Sequence, residues 1–269
     1  MIRVTCNGRP ADLPDGITLR RAAAQLAPAA SVLIRNGFQT DEDVPLRDGD
    51  SITLIEKGVL PPRDVLGHMM AARHSPRVHE AVRRARVGIA GLGGLGSNIA
   101  AMLARTGVGQ LVLADFDTVE PSNLNRQNYD VSHLGQNKTD ATASVIRRIN
   151  PFLTVETHTV RVTADNALEL FGGCDVVCEA FDRPECKAEL VSALLSGSES
   201  VRVVAGSGMA GYGSSNTIVT RRRMARLYVC GDGETAAGDG IGLMAPRVTV
   251  CAGHQANMVL RLLLGIEQP

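Results

Sequence analysis

Short stretches of alternating hydrophobic and polar residues fill the first sixty positions of the chain, and turn-forming dipeptides separate them. The stretches Ile2–Cys6 and Arg9–Leu13 flank Asn7-Gly8, a dipeptide typical of a two-residue hairpin turn. Thr18 stands where it would cap a helix over residues 19–27. The pattern therefore predicts a hairpin followed by a helix.

Two more strands are predicted in this region, at 31–35 and 51–56, and Asn-Gly and Asp-Gly pairs precede the second of them. The order strand, strand, helix, strand, strand outlines a ubiquitin-like β-grasp unit. The details resemble the small sulfur carriers of the ThiS type, which share an opening strand, an Asn-Gly turn and Asp-Gly-x-Thr-Leu before a helix. Here that last motif is residues 15–19.

Those carriers react through a free C-terminal Gly-Gly, whereas this chain continues past Gly58 as Val59-Leu60-Pro61-Pro62. A carboxylate held in a peptide bond cannot be adenylylated. The unit is therefore predicted to be a fused scaffold or docking module, and cleavage after Gly58 to release a carrier is the alternative. The two prolines mark a linker.

Helical patterns follow at about 64–73 and 78–84, and a different pattern then begins. We predict a ThiS-like β-grasp domain at 1–60, a linker and helical lead-in at 61–85, and a nucleotide-binding domain at 86–269. A length of 269 residues suits about two domains.

A short apolar run at 87–90 leads directly into a glycine-rich loop. Gly91, Gly93 and Gly96 satisfy G-x-G-x-x-G, and Ser97 and Asn98 are predicted to open an apolar helix. Glycine lets the backbone approach phosphates, and a helix N-terminus offers free N–H groups. The strand predicted at 110–114 ends in Asp115, where an acid that binds ribose belongs. This pattern predicts a bound nucleotide but does not separate NAD from ATP.

A dense polar cluster after Asp115 favours ATP, because a triphosphate needs cations and neutral donors. Arg126 can neutralise phosphate charge, and Lys138 opens a helix, where a lysine is unfavourable for the helix dipole unless an anion binds there. The cluster comprises Asp117, Ser122, Asn123, Asn125, Arg126 and Gln127.

Together, Gly-Leu-Gly-Gly-Leu-Gly, Asp-Phe-Asp-x-Val, Ser-Asn-Leu-x-Arg-Gln and Gly-x-x-Lys resemble the ThiF/MoeB/HesA superfamily of ubiquitin-activating-type adenylyltransferases, over about residues 66–265. The preceding unit makes the ThiF-type branch with a fused ThiS-like segment the best match. The resemblance implies that Gly94 and its neighbours approach the nucleotide, Asp115 holds the ribose, and Asn123, Arg126 and Lys138 contact phosphates. Asp182 matches an acid that binds Mg²⁺.

The resemblance also implies a homodimer whose partner lends an arginine, for which Arg73 or Arg77 is the candidate. Many relatives bind zinc through two C-x-x-C pairs, and this chain has no such pair, so no zinc is expected. Some relatives use a cysteine as a covalent carrier site. Cys186, Cys230 and Cys251 are candidates by position, although each is also explained as a small buried hydrophobe.

The composition argues against two classes of binding partner. Lys and Arg number 28 and Asp and Glu number 28, so a zero net charge argues against nucleic acid or an anionic membrane as partner. No apolar run approaches the length of a membrane span, and the N-terminus lacks a signal-peptide core. The six cysteines are therefore expected to be reduced thiols in the cytoplasm.

The last third of the chain alternates strands with glycine-rich segments. Strands are predicted at 201–205 and 216–220, followed by Arg221-Arg222-Arg223, which is either a solvated turn or a surface for an acidic carrier. Residues 231–242 hold five glycines and are predicted to form a mobile loop. A closing helix is predicted at 247–264.

The sequence thus predicts an α/β protein, a Rossmann-like domain with a mixed, mainly parallel sheet preceded by a β-grasp domain. The predicted reaction is ATP- and Mg²⁺-dependent adenylylation of the C-terminal carboxylate of a separate ThiS-like carrier with a free Gly-Gly, for thiamine thiazole synthesis with a sulfurtransferase as a further partner. Two alternatives remain open: activation of another substrate, such as a tRNA base or a peptide, and a non-catalytic nucleotide-binding regulator.

Overall fold

A computed structural model describes residues 1–74 and 76–269, with the side chains of Pro76 and Arg77 excluded. The described chain forms two compact units, Met1–Glu80 and Ala81–Pro269. The domain bounds predicted from the sequence, 1–60, 61–85 and 86–269, stay predictions.

The first unit is a five-stranded sheet with one helix against it. The strand order is β2-β1-β5-β3-β4, with β1 and β5 parallel at its centre. Val4, Leu19, Ile52 and Leu54 are buried in its core. The bounds are β1 Ile2–Cys6, β2 Arg9–Leu13, α1 Leu19–Leu26, β3 Val32–Arg35, β4 Phe38–Gln39, β5 Ser51–Ile55 and α2 Arg63–Met70. The predicted β-grasp fold is confirmed.

Asn-Gly pairs form both hairpin turns of this unit. Asn7 and Asn36 have φ values of 50° and 51°, and the following Gly8 and Gly37 have 81° and 89°. Two consecutive positive φ values define the turn that matches the strand twist, and asparagine and glycine tolerate them best. Thr18 occupies the N-cap position of α1 as predicted, but its side chain makes no capping hydrogen bond.

The second unit is a seven-stranded sheet in the order β11-β12-β10-β9-β6-β7-β8, in which only β11 is antiparallel to its neighbour. Helices α4, α5 and α8 contribute to the apolar core on one face, and α6 and α7 to that on the other. The bounds are α3 Pro76–Arg84, β6 Arg86–Ala90, α4 Gly94–Thr106, β7 Gln110–Ala114, α5 Lys138–Ile149, β8 Thr154–His158, α6 Ala164–Phe171, β9 Val176–Glu179, α7 Pro184–Gly197, β10 Arg202–Gly206, β11 Val219–Met224, β12 Leu227–Gly231 and α8 Ala245–Leu263, with α3 beginning in the first unit.

This architecture confirms the mixed, mainly parallel sheet. One predicted strand was misplaced: residues 215–217 form a 3₁₀ turn, and the strand runs over Val219–Met224. The arginine run therefore lies in an edge strand and not in a turn. Among the described residues, no helix is long and apolar enough to cross a membrane.

Candidate active site

The glycine loop joins the end of β6 to the start of α4, and close backbone contacts require glycine at Gly91 and Gly96. Gly91 has a φ of 89°, and its N–H donates to the Ala114 carbonyl at 2.9 Å. A Cβ at Gly96 would lie 1.8 Å from the Gly91 carbonyl oxygen. Gly93 is the N-cap of α4. The backbone thus turns tightly and presents the helix N-terminus at the sheet edge, as an anion site requires.

Helix α4 begins at Gly94, three residues earlier than predicted from Ser97 and Asn98. The Ser97 hydroxyl donates to the Gly93 carbonyl at 2.7 Å, so it bonds within the first turn and does not cap it. Asn98 Nδ2 donates to the carbonyls of Gly94 at 2.6 Å and Arg126 at 3.1 Å. Asn98 therefore ties the polar cluster to the glycine loop, a contact that no local pattern indicated.

Asp115 follows β7 and is almost fully buried. Its two carboxylate oxygens accept the backbone N–H groups of Leu92 at 2.6 Å and Asp117 at 2.8 Å. Burial raises the pKa of Asp115, and these two hydrogen bonds oppose the rise. The carboxylate is held at the glycine loop by neutral donors and keeps acceptor capacity for a ligand hydroxyl.

Lys138 lies at the first position of α5 and pairs with Asp117. The Nζ to Oδ2 distance is 2.8 Å, and the Lys138 N–H donates to the Asp117 carbonyl at 2.9 Å. The lysine is buried, whereas the Asp117 side chain is half exposed. An ammonium has three donors, so this arrangement leaves two for an anion.

The polar cluster wraps the same edge. Asn123 Oδ1 accepts the Glu120 N–H at 3.0 Å. Gln127 is buried, and in the described part of the chain its Oε1 has no hydrogen-bond partner. Arg126 donates to the Ser122 carbonyl at 3.0 Å and to Asn125 Oδ1 at 2.9 Å. Arg126 and Gln127 lie against the glycine loop, since Cβ atoms at Gly94 and Gly93 would come within 3.6 Å and 3.8 Å of their side chains. The binding roles of this segment stay predictions.

Asp182 lies three residues after β9 and is exposed. Among the described residues, no three His, Cys, Asp or Glu side chains cluster to hold a metal ion. Mg²⁺ in nucleotide sites uses one or two carboxylates together with the phosphates, so a single carboxylate such as that of Asp182 fits that ion. Arg73 lies in the first unit, where it donates to Gln39 at 3.3 Å; the Arg77 side chain lies outside the described residues.

The candidate covalent cysteines differ in burial. Cys230 and Cys251 are fully buried, and burial raises the pKa of Cys230 to about 11 and that of Cys251 to about 12. Cys186 is half buried, in the first turn of α7. The two buried thiols are therefore neutral at pH 7 and closed to a protein substrate.

A buried ion pair at the end of β9 was not singled out from the sequence. Glu179 is fully buried, and both of its carboxylate oxygens accept from Lys187 Nζ at 3.0 Å. The third donor of Lys187 reaches the Gly206 carbonyl at 3.0 Å. The sequence carried a signal for this pair, because Glu179 is a carboxylate at the end of an apolar strand, just as Asp115 directly follows one.

Comparison with known proteins agrees with this geometry. The ThiF family model matches residues 67–269, and a model for ThiS-like ubiquitin matches residues 2–58. The chain belongs to the ThiF family. Its enzyme class is that of an adenylyltransferase of this family.

Relatives of this ThiF-family protein include a molybdopterin-synthase adenylyltransferase of Salmonella typhimurium, 33% identical over 71% of this chain and 77% of the relative. The adenylyltransferase and sulfurtransferase UBA4 of Eremothecium gossypii is 31% identical over 69% of this chain, which spans 43% of that protein. Among solved structures, the Escherichia coli tRNA N6-threonylcarbamoyladenosine dehydratase in complex with ATP has a TM-score of 0.68 at 21% identity, covering 77% of this chain and 98% of that one. That likeness shows the fold.

Proposed function

We propose that this ThiF-family protein uses ATP to adenylylate the C-terminal glycine carboxylate of a separate ThiS-like sulfur carrier. One observation carries the proposal: the glycine loop, the buried Asp115 and Lys138 lie at one edge of the sheet, and among the described residues the Lys138 ammonium donates only one hydrogen bond, to Asp117. A nucleoside triphosphate needs all three: a close backbone, a ribose acceptor and cations for its phosphates.

In the proposed reaction the carrier carboxylate attacks the α-phosphate, a P–O bond to the β-phosphate breaks, and pyrophosphate leaves. No general base is required, because a carboxylate is already ionised at pH 7. Lys138 and Arg126 offset the charge that develops on the phosphate oxygens. Asn123 and Gln127 supply neutral contacts, and the glycine loop excludes side chains from the path of the phosphates.

Asp182 would hold Mg²⁺ together with the phosphates, and the ion would stabilise negative charge on the leaving pyrophosphate. A sulfur nucleophile delivered by a sulfurtransferase would then attack the acyl carbon of the acyl-adenylate, the acyl–oxygen bond would break and AMP would leave; the thiazole of thiamine is the proposed destination of the sulfur. A homodimer that lends Arg73 across its interface remains part of the proposal. The cytoplasmic location remains a prediction from the sequence.

The fused first unit is proposed to be an accessory module and not the substrate. Its chain continues through Gly58 and Val59 into the second unit, so it offers no terminal carboxylate. One relative is a molybdopterin-synthase adenylyltransferase, so the test compares carriers of more than one pathway.

The test is exchange of labelled pyrophosphate into ATP, measured with and without carriers that end in Gly-Gly. We expect carrier-dependent exchange that falls at least about a hundredfold in Lys138→Ala and Asp182→Asn, since each removes a charge that acts on the phosphates. Arg105→Ala and Asp165→Asn remove exposed charges elsewhere in the second unit and should retain full exchange.

Exchange that survives both site variants would contradict the site assignment. Exchange supported by a tRNA or a short peptide but by no carrier would favour the activation of another substrate. Binding of ATP without exchange under any condition would favour the regulator.

A further inference from the structure

A cavity of about 390 Å³ opens beside α7, at the carboxyl end of β10 and along the length of β12. Apolar side chains of α7 and β12 form much of its lining, and Gly206 and Gly231 leave part of it without side chains. Arg221 and Arg223 of the edge strand β11 also line it. It lies wholly within the second unit, and none of the nucleotide-site residues named above is among its lining residues.

The charges in this cavity do not cancel. Glu179 is its one acidic lining residue, and Lys187 already neutralises that carboxylate. Arg221 donates to the Gly231 carbonyl at 3.3 Å, and neither it nor Arg223 has an acidic partner among the described residues. Two guanidinium groups are therefore left to face the cavity without a counter-charge, which is the arrangement that binds a carboxylate.

The intervening Arg222 has its charge partner elsewhere. Arg221 and Arg222 pair with consecutive residues of β12 and therefore point to opposite faces of the sheet, and the register shifts between Arg222 and Met224. Arg222 accordingly pairs with Glu267 at 3.0 Å and lies 5.7 Å from the centre of the Tyr228 ring. Glu267 compensates the charge of Arg222, whereas Arg221 and Arg223 have no acidic partner in the part of the chain that the structure describes.

We propose that this cavity binds an acidic side chain in the extended C-terminal segment of the protein that is adenylylated, with Arg221 and Arg223 as the specificity-determining residues. This inference rests on the function proposed above. A peptide whose terminal carboxylate reaches the glycine loop passes the ends of β10 and β9, because those strands lie between β11 and β6.

The strand order sets the distance across the sheet that the peptide must span. Three strand steps separate β11 from β9 and four separate it from β6, which at about 4.8 Å per step gives about 14–19 Å. An extended peptide spans about 3.3 Å per residue, so the acidic side chain is expected about four to six residues before the terminal carboxylate.

Arginines on an edge strand also discourage pairing between sheets. That role by itself predicts no preference between peptides, so peptide binding can distinguish it from the proposed binding of a carboxylate. The probe is a labelled peptide that ends in Gly-Gly and carries glutamate at about the fifth residue from its C-terminus, compared with the same peptide carrying glutamine there. Fluorescence anisotropy with the full chain gives both dissociation constants.

We expect the glutamate peptide to bind at least about tenfold more tightly, and Arg221→Ala/Arg223→Ala to remove that preference. Arg222→Ala is the control from the same strand; it removes one positive charge where the double variant removes two, and it should keep the preference. A glutamate moved to the second residue from the end should lose its advantage. Equal binding of both peptides by the unsubstituted chain, or a preference that survives the double variant, would overturn the inference.

Pyrophosphate exchange then separates this inference from the proposed function. Arg221→Glu/Arg223→Glu should raise the KM for an acid-bearing carrier at least about tenfold, and a carrier with lysine at that residue should restore it. Carrier-dependent exchange with no such dependence contradicts the cavity assignment alone. An arginine-dependent peptide preference without exchange on any carrier contradicts the proposed function and supports the cavity assignment.

Discussion

The ends of β7 and β9 place a buried carboxylate and a lysine at the same edge of one sheet, yet the two regions differ in what remains free. At β9, Lys187 gives all three donors to Glu179 and the Gly206 carbonyl. At β7, Asp115 is held by backbone N–H groups, and Lys138 gives one side-chain hydrogen bond to the half-exposed Asp117.

The difference separates a structural ion pair from a binding site. A charge whose hydrogen-bonding capacity is filled inside the protein supports the fold, whereas one with free donors or acceptors can act on a ligand. Position after an apolar strand is common to both regions, so it does not distinguish them.

Breaking the β9 pair should cost the most stability. Lys187→Met leaves the carboxylate of Glu179 buried without a counter-charge, and we expect the unfolding free energy to fall by about 3–5 kcal/mol. All three tyrosines of the chain, Tyr129, Tyr212 and Tyr228, lie in the second unit, and there is no tryptophan. Urea unfolding followed by tyrosine fluorescence therefore reports on this unit.

The double variant Glu179→Leu/Lys187→Met provides the control, because removing both charges leaves no orphaned ion. It should recover most of the lost stability. A single variant as stable as the unsubstituted protein would mean that Glu179 takes up a proton or finds another partner, and the contrast with β7 would then fail.

ATP binding should respond to the β7 carboxylate and not to the β9 carboxylate. Asp115→Asn removes a charged acceptor from the proposed ribose site, and we expect ATP to bind about tenfold to a hundredfold more weakly. Glu179→Gln changes the same functional group in the filled pair, and its ATP affinity should stay within about twofold. Calorimetric titration of both variants measures this, and equal losses would erase the distinction.

The smallest effect concerns pH. Burial raises the pKa of Asp115, so the folded protein binds that proton more readily than the unfolded chain does. The ionised carboxylate therefore costs stability above its folded-state pKa, and the cost disappears as the pH falls below the ordinary aspartate value. The unfolding free energy of the unsubstituted protein should rise relative to that of Asp115→Asn between pH 7 and pH 4, and a constant difference would contradict the assignment.

Local sequence signals predicted most of the elements near the glycine loop. Gly91 and Gly96 were recognisable because the loop needs positive φ and a close backbone approach, both of which follow from glycine itself. The start of α4 was misjudged because Ser97 and Asn98 suit helix caps, yet both bond backward within the first turn.

The edge strand was the larger error. Arg221-Arg222-Arg223 is polar throughout and suggests a turn. In the structure these residues form β11 by pairing with β12, and the strand β12 was not predicted from the sequence. Pairing with a strand from elsewhere in the chain overrides weak local propensity. The pairing that puts Arg222 and Arg221 on opposite faces of the sheet therefore became visible only in the fold.

By itself the sequence determined the two-part architecture, the β-grasp outline, the glycine loop and the list of candidate ligand groups, since each depends on residues close together along the chain. Only the tertiary structure decided which charges are free. The Leu92 N–H donates to Asp115, which lies 23 positions later in the chain, and Arg222 pairs with Glu267, which lies 45 positions later. Charge compensation depends on what packs against a group from distant segments, and no local pattern carries that information.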